Sequence, residues 1–174
     1  MIYLRALEPE DLDLLYTIEN HPSLWTVSNN NGPYSRFLLK RYLASQTGSI
    51  AEDGQMRLVV CLEADDRAIG IVDLFDYSAK HQRAEVGIAL LSAEQGKGVG
   101  SETLKKLEEF AAVKLNIRML YAYTMANPAT ISRKLFISAG YAEIGVLKDW
   151  HFDGEEYEDV SFFQKNIQKY VLTL

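Results

Sequence analysis

The sequence predicts a single domain of mixed α/β (α+β) class over residues 1–174, with about seven strands and about four helices. Three observations carry this. Two-residue and 3.6-residue apolar periods alternate along the chain, so neither all-α nor all-β fits. The run Val86-Gly87-Ile88-Ala89-Leu90-Leu91 is apolar on both faces, as a central strand requires. A glycine-rich turn, Gly96-Lys97-Gly98-Val99-Gly100, separates that strand from a long amphipathic segment.

Each element has its own warrant. Residues 2–7 read as a short opening strand. Pro9 suits the first turn of a helix, and Glu10, Asp11 and Asp13 suit its positive end. Leu12, Leu15, Tyr16 and Glu19 follow at helical spacing. Gly32-Pro33 breaks the chain before a second helix over residues 34–46, marked by Phe37, Leu38, Arg41 and Tyr42. Residues 56–63 and 68–77 pair as a hairpin around Ala64-Asp65-Asp66-Arg67. Residues 82–91 are the central strand. The helix after the glycine turn runs to about Leu115 and buries Leu104, Leu107 and Ala111. Residues 119–125 are a strand, and residues 130–138 a helix that Gly140 ends. The tail holds two strands joined at Asp153-Gly154, a favoured hairpin turn.

Composition narrows the function. The chain carries 18 Lys+Arg against 24 Asp+Glu, a net charge of −6. That balance disfavours a nucleic-acid partner, which needs cations for its phosphates. It suits a cationic substrate. The charge is unevenly spread. Residues 94–140 hold seven bases and four acids, and the remainder eleven bases and twenty acids. Cys61 is the only cysteine, so neither an intrachain disulfide nor a cysteine zinc site can form. The three histidines show no ligand spacing, and no metal is expected. No apolar run approaches the ~18 residues of a membrane span, and the opening residues lack a signal-peptide core. A cytoplasmic protein with no membrane partner is expected.

Chemistry concentrates in Glu94-Gln95-Gly96-Lys97-Gly98-Val99-Gly100-Ser101. Closely spaced glycines let the backbone approach a ligand. The N–H groups and dipole of the following helix favour an anion there, and Lys97 adds a full charge. The spacing is neither a P-loop nor a dinucleotide fingerprint. It is Q-x-x-G-x-G.

That pattern, between an apolar strand and a helix, resembles the acetyl-CoA signature of the GNAT superfamily of N-acetyltransferases. Leu4-Arg5-Ala6-Leu7-Glu8 with Asp11-Leu12 is similar to the superfamily's opening. Ile69-Gly70-Ile71-Val72 resembles its third strand, and Leu135-Phe136-Ile137-Ser138-Ala139-Gly140-Tyr141 its final motif. Arg83-Ala84-Glu85, Gln95-Gly96-Lys97-Gly98 and the closing hairpin are most similar to bacterial spermidine N-acetyltransferases, with ribosomal-protein N-terminal acetyltransferases close behind.

The resemblance implies a mostly antiparallel GNAT sheet and acetyl-CoA as co-substrate. It implies a primary amine as acceptor, either a polyamine such as spermidine or a protein N-terminus, and self-association as a dimer or larger. A non-catalytic acyl-CoA-binding module is the alternative. It also assigns roles. Ile88, Ala89 and Leu90 lie along the pantetheine arm, where a backbone N–H polarises the thioester carbonyl. Gln95, Gly96, Lys97, Gly98, Val99, Gly100 and Ser101 hold the pyrophosphate. Asn127 falls near a CoA-contacting asparagine, though two residues too far from Phe136; capping the next helix is its other reading. Glu85 matches the base or proton relay, against the alternative that it orients the amine or pairs with Arg83.

One departure stands out. The tyrosine that protonates the leaving thiolate is Phe136 here. Ser132, one turn earlier, and Tyr123, on the neighbouring strand, are the replacement hydroxyls, with water as the third option. The acidic pair that polyamine enzymes carry before Pro-Tyr is also missing, since Asn31-Gly32-Pro33-Tyr34 holds no acid. Asp73 and Asp76 on the third strand can line an amine pocket instead. Trp25 and Tyr34 flank a loop that can close over a substrate.

Overall fold

The computed structural model describes residues 1–21 and 32–168. Seven strands form one sheet: β1 (Ile2–Ala6), β2 (Met56–Leu62), β3 (Ala68–Ser78), β4 (Arg83–Leu90), β5 (Met119–Met125), β6 (Ala142–Phe152) and β7 (Tyr157–Asn166). Their spatial order is β1-β2-β3-β4-β5-β7-β6. Every neighbouring pair is antiparallel except β4 with β5. The expected strand count and antiparallel character hold, and β4 occupies the centre.

Among the described residues, five α-helices flank the sheet: α1 (Leu12–Glu19), α2 (Arg36–Ser45), α3 (Ile50–Asp53), α4 (Val99–Leu115) and α5 (Ile131–Ser138). The sequence predicted about four. The addition is α3, a single turn that ends at Gly54 in the left-handed region. One turn displays no 3.6-residue period, so the pattern hides it. Helix α2 starts later than expected because the Ser35 hydroxyl accepts the Leu38 N–H and caps it.

Two apolar clusters lie on opposite faces of the sheet. The larger packs Val72, Leu74, Ala84 and Val86 of the sheet against Leu104, Leu107 and Ala111 of α4 and Phe136 of α5. The smaller packs Ile71 against Leu15 and Ile18 of α1 and Leu39 of α2. Period two therefore sends neighbouring residues of β3 and β4 into different chemistry. Ile71, Asp73 and Phe75 share the α1/α2 face, as do their ladder partners Ala89, Gly87 and Glu85.

Polar clamps hold the layers in register. Lys165 of β7 donates to both oxygens of Glu108 of α4 at 2.7 Å, and to the Ala139 carbonyl after α5 at 2.6 Å. Arg5 grips Asp11 with two bonds of 2.7 Å, while Asp11 also accepts the Glu8 N–H. Strand β1 is one edge of the sheet and strand β6 the other. Trp150 and Phe152, which would ordinarily be core, stand 63% and 54% exposed there.

Candidate active site

The parallel pair β4 and β5 is short. Its ladder runs Arg83↔Met119, Ala84↔Leu120, Glu85↔Tyr121 and stops. Strand β4 continues beside β3 as far as Leu90, while β5 continues beside β7 as far as Met125. Beyond Glu85 the two strands part as a fork. The edge of β4 facing β5 from Val86 onward then has N–H and C=O groups with no strand to take them. Backbone groups must find partners, so this edge is prepared for an extended ligand. One carbonyl is already satisfied, because the Gln95 side-chain amide donates to Leu90 O at 3.0 Å.

A cavity of about 570 Å³ opens along this edge. Ile88, Ala89, Leu90, Leu91, Ser92 and Gln95 form one wall, Thr130, Ile131, Ser132 and Leu135 the second, and Thr17 and Ile18 of α1, with His21 just beyond its end, the third. Thus Ile88, Ala89, Leu90, Gln95 and Ser132 meet at one site. The glycine turn follows directly on Gln95, at the end of the first wall. Gly98 has φ +82° and caps α4, whose first N–H groups are left free for a ligand. Gly100 serves packing, since a Cβ there would lie 3.2 Å from Leu135. Val99 points its side chain into the core, so its contribution to an anion is its N–H. Lys97 and Arg67 both pair with the buried Glu94 at 3.2 Å, which pins the turn beside the end of β4. Lys97 and Arg67 hold the Glu94 carboxyl below its usual range. Gly96 and Ser101 are exposed in the same turn.

The other residues lie apart from this cavity. Glu85 sits at the vertex of the fork, half-buried on the α1/α2 face. Among the described residues no cation pairs with it, and Arg83 does not. Burial, and then the charge of Asp76, push the Glu85 carboxyl above the ordinary range. Asp76 is exposed with φ +44°, at an irregularity of the β3–β4 ladder that swings its carboxylate toward β5. There it accepts the Tyr121 hydroxyl at 2.5 Å. Tyr121, Tyr123 and Phe162 of β7 form an aromatic patch beside these acids, with ring centroids 5.1 to 5.9 Å apart. Burial and the Asp76 bond push the Tyr121 hydroxyl upward. Burial and then Glu85 do the same for Tyr123. Tyr123 therefore belongs to the acidic basin and not to the cavity wall.

Asp73 is drawn elsewhere. It accepts Arg57 Nε at 2.6 Å and Nη2 at 3.1 Å, and the same guanidinium reaches Glu19 of α1 at 2.5 Å. Burial is the largest single influence and would lower the Arg57 pKa, but the charge and hydrogen bonds of Asp73, with the charge of Glu19, together outweigh it and keep the guanidinium charged. Asp73 is thereby committed to an internal cation. Asn127 forms a local turn, its Oδ1 accepting Ala129 N at 2.9 Å, and lines a separate cavity with Tyr157, Glu158 and Asp159. Tyr34 has its backbone clamped by Asn20 through bonds of 2.7 and 3.0 Å. Trp25 lies outside the described residues. Phe136 is turned into the core against Tyr141 and Phe163, while Ser132 faces the cavity.

Sequence reasoning missed three participants. Thr17 and His21 reach the cavity only because α1 folds across β4. Tyr121 reaches Asp76 only through pairing across the sheet. None of them stands in a motif.

A forked parallel pair, an apolar channel and a glycine turn at a helix start define a transferase that takes its acyl group from a CoA thioester. Residues 2–141 match the acetyltransferase (GNAT) domain family, and the chain belongs to that family. A spermidine N(1)-acetyltransferase of Vibrio cholerae is 27% identical over 158 residues, covering 90% of this chain and 88% of the relative. Its Escherichia coli counterpart is 30% identical over 120 residues, covering 69% of this chain and 62% of the relative. The crystal structure of the V. cholerae spermidine N-acetyltransferase in complex with CoA and spermine is similar with a TM-score of 0.84, at 26% identity over 98% of each chain. The protein is an acetyl-CoA-dependent N-acetyltransferase. Among the described residues, no helix is long and apolar enough to cross a membrane.

Proposed function

We propose that the protein acetylates a primary amine of a polyamine such as spermidine. The observation that carries this is the basin at the fork. Glu85 and Asp76 are two carboxylates with no cationic partner among the described residues, placed beside the aromatic rings of Tyr121, Tyr123 and Phe162. Acids flanked by π faces suit an alkylammonium chain. The names of the relatives point the same way.

The chemistry follows from position. Glu85 receives the proton that the ammonium must lose before its nitrogen can attack. Its pKa is raised above the ordinary carboxylate range, which makes it a stronger base than a free glutamate. An N–H on the free edge of β4 between Ile88 and Leu90 takes the charge that develops on the carbonyl oxygen. The free N–H groups from Gly98 to Ser101, with Lys97, hold the pyrophosphate, and Ser132 lies on the channel that carries the pantetheine.

We place the enzyme in the cytoplasm, where both acetyl-CoA and polyamines are available to it, as a homo-oligomer. The support for self-association is the edge strand β6, with Ile144, Val146, Trp150 and Phe152 exposed along it.

A thiol-release assay over spermidine, spermine, lysine-type amines and N-terminal peptides tests the substrate. The expected result is release of CoA with spermidine and spermine and little with the peptides. Turnover confined to the peptides would transfer the reading to a protein N-terminus. Binding of acetyl-CoA with no amine-dependent release would remove catalysis.

A further inference from the structure

Phe136 leaves the reaction without the phenol that the resemblance expects. A benzyl ring has no proton to give, and here it is buried in the core, 3% exposed. The two hydroxyls considered from the sequence are poorly suited. Tyr123 lies in the basin with its pKa pushed up, which makes it a weaker acid. Ser132 reaches the cavity, but an alkyl hydroxyl is far too weak an acid to protonate a thiolate outright.

The described residues lining the cavity include one ionisable side chain, His21. Its place along the channel follows from the register. Helix α1 packs Leu15 and Ile18 into the cluster that Ala89 and Leu91 of the β4 wall also join. It ends at Glu19, tied through Arg57 to Asp73. Asp73 is the ladder partner of Gly87, two residues from Glu85. The end of α1 therefore stands at the level of the fork's vertex, where the thioester must meet the amine, and not at the glycine turn where the phosphates lie. The backbone leading to His21 is held in place. Glu19 is held by Arg57, Asn20 clamps the Tyr34 backbone at 2.7 and 3.0 Å, and the His21 N–H donates to Ile18 O at 3.1 Å.

We infer that His21 is the catalytic acid that protonates the departing thiolate of CoA. The step balances. The amine nitrogen, having given its first proton to Glu85, forms the new C–N bond. The C–S bond then breaks and its electron pair stays on sulfur. The imidazolium of His21 gives its proton to that sulfur, and the acylated nitrogen sheds its extra proton through Glu85 to solvent. His21 regains a proton from water through the open mouth of the cavity. An imidazolium is in general a stronger acid than an alkyl thiol, so it can give its proton to a thiolate. Several described residues share the cavity with His21. Thr17 is on α1, and Glu19 is engaged by Arg57. Tyr34 lies across the clamp, and Ser92 and Gln95 end the β4 wall. Thr130 and Ser132 line the same cavity at the start of α5. Of the two cations on α5, Arg133 is bonded to Glu143 and Lys134 is exposed, and neither lines the cavity.

The inference rests on the cavity being the thioester channel, and the experiment separates the two. Ala89→Trp fills the channel and must abolish acetyl-CoA binding by calorimetry; retained binding would overturn the channel itself. With the channel upheld, His21→Gln is expected to bind acetyl-CoA as the wild type does and to lose about tenfold or more in kcat. The alkaline limb of its kcat–pH profile should vanish, and free imidazole should restore turnover to His21→Ala. In the wild type, the His21 ring resonance should shift when CoA is titrated in. Wild-type kcat in His21→Gln, a persisting alkaline limb, a loss that imidazole does not rescue, or an unmoved resonance each overturns the role of His21.

Discussion

The two sides of the fork are built from different material. The channel side is largely apolar, with one ionisable side chain among the described residues that line it, and offers a ligand mostly backbone: the free edge of β4 and the first N–H groups of α4. The basin side offers side chains, namely Glu85, Asp76, Tyr121 and Tyr123, whose properties are set by one another. A backbone site tolerates many side-chain changes and fails when the chain path changes. A side-chain site keeps its path and fails when a single charge is lost.

The sharpest way to break the channel side is therefore Gly98→Val. The position has φ +82° and open space around it, so no clash is involved. The cost is conformational, and a β-branched residue is among the least tolerated there. Moving the backbone out of the left-handed region turns away the N–H groups that follow. A rise of about a hundredfold in the acetyl-CoA Kd is expected, with the amine basin intact. An unchanged Kd would mean that these N–H groups do not hold the anion.

On the basin side Glu85→Gln keeps shape and removes charge. Loss of a general base lowers kcat by roughly a hundredfold or more, while the acetyl-CoA Kd stays at the wild-type value. The wild-type profile of kcat/KM against pH should rise through a pKa above the ordinary ~4.3 of a glutamate, because burial and Asp76 favour the neutral form. That limb should be absent in the variant. A smaller effect is expected at Asp76→Asn, which keeps the Tyr121 contact and removes one of two acids facing the ammonium. The KM for spermidine should rise about fivefold with kcat little changed, reading the partial exposure of the site.

The same contrast explains what was legible in the sequence. The channel's chemistry is written locally: strand, glycine turn and helix follow one another, so Gln95 through Ser101 fall in place once the strand is found. The basin is assembled across the sheet. Tyr121 meets Asp76 over 45 residues of chain, and the irregularity that turns Asp76 toward it leaves no mark in the apolar period. Asp73 and Asp76 look equivalent three residues apart. Alternation and an unforeseen Arg57 commit one to an ion pair and leave the other facing the fork. His21 lacks a motif altogether, and its relevance comes from where Glu19 and Asn20 are tied. Helix α3 was hidden because a single turn has no period.

The smallest predicted effect concerns stability and runs opposite to activity. A carboxyl whose pKa is raised in the folded state binds its proton more tightly there than in the unfolded chain. Above both pKa values the folded protein pays for an ionised Glu85, and below the unfolded value of ~4.3 the difference disappears. Removing the charge should therefore stabilise the fold at neutral pH while it disables the chemistry. Glu85→Gln is expected to melt a few degrees above the wild type at pH 8. The gap should narrow as pH falls through the raised pKa and close near pH ~4. Calorimetric scans at several pH values measure it directly. A variant less stable than the wild type at pH 8 would show that the ionised carboxylate is held by favourable contacts, and that Glu85 is a structural member of the fork before it is a base.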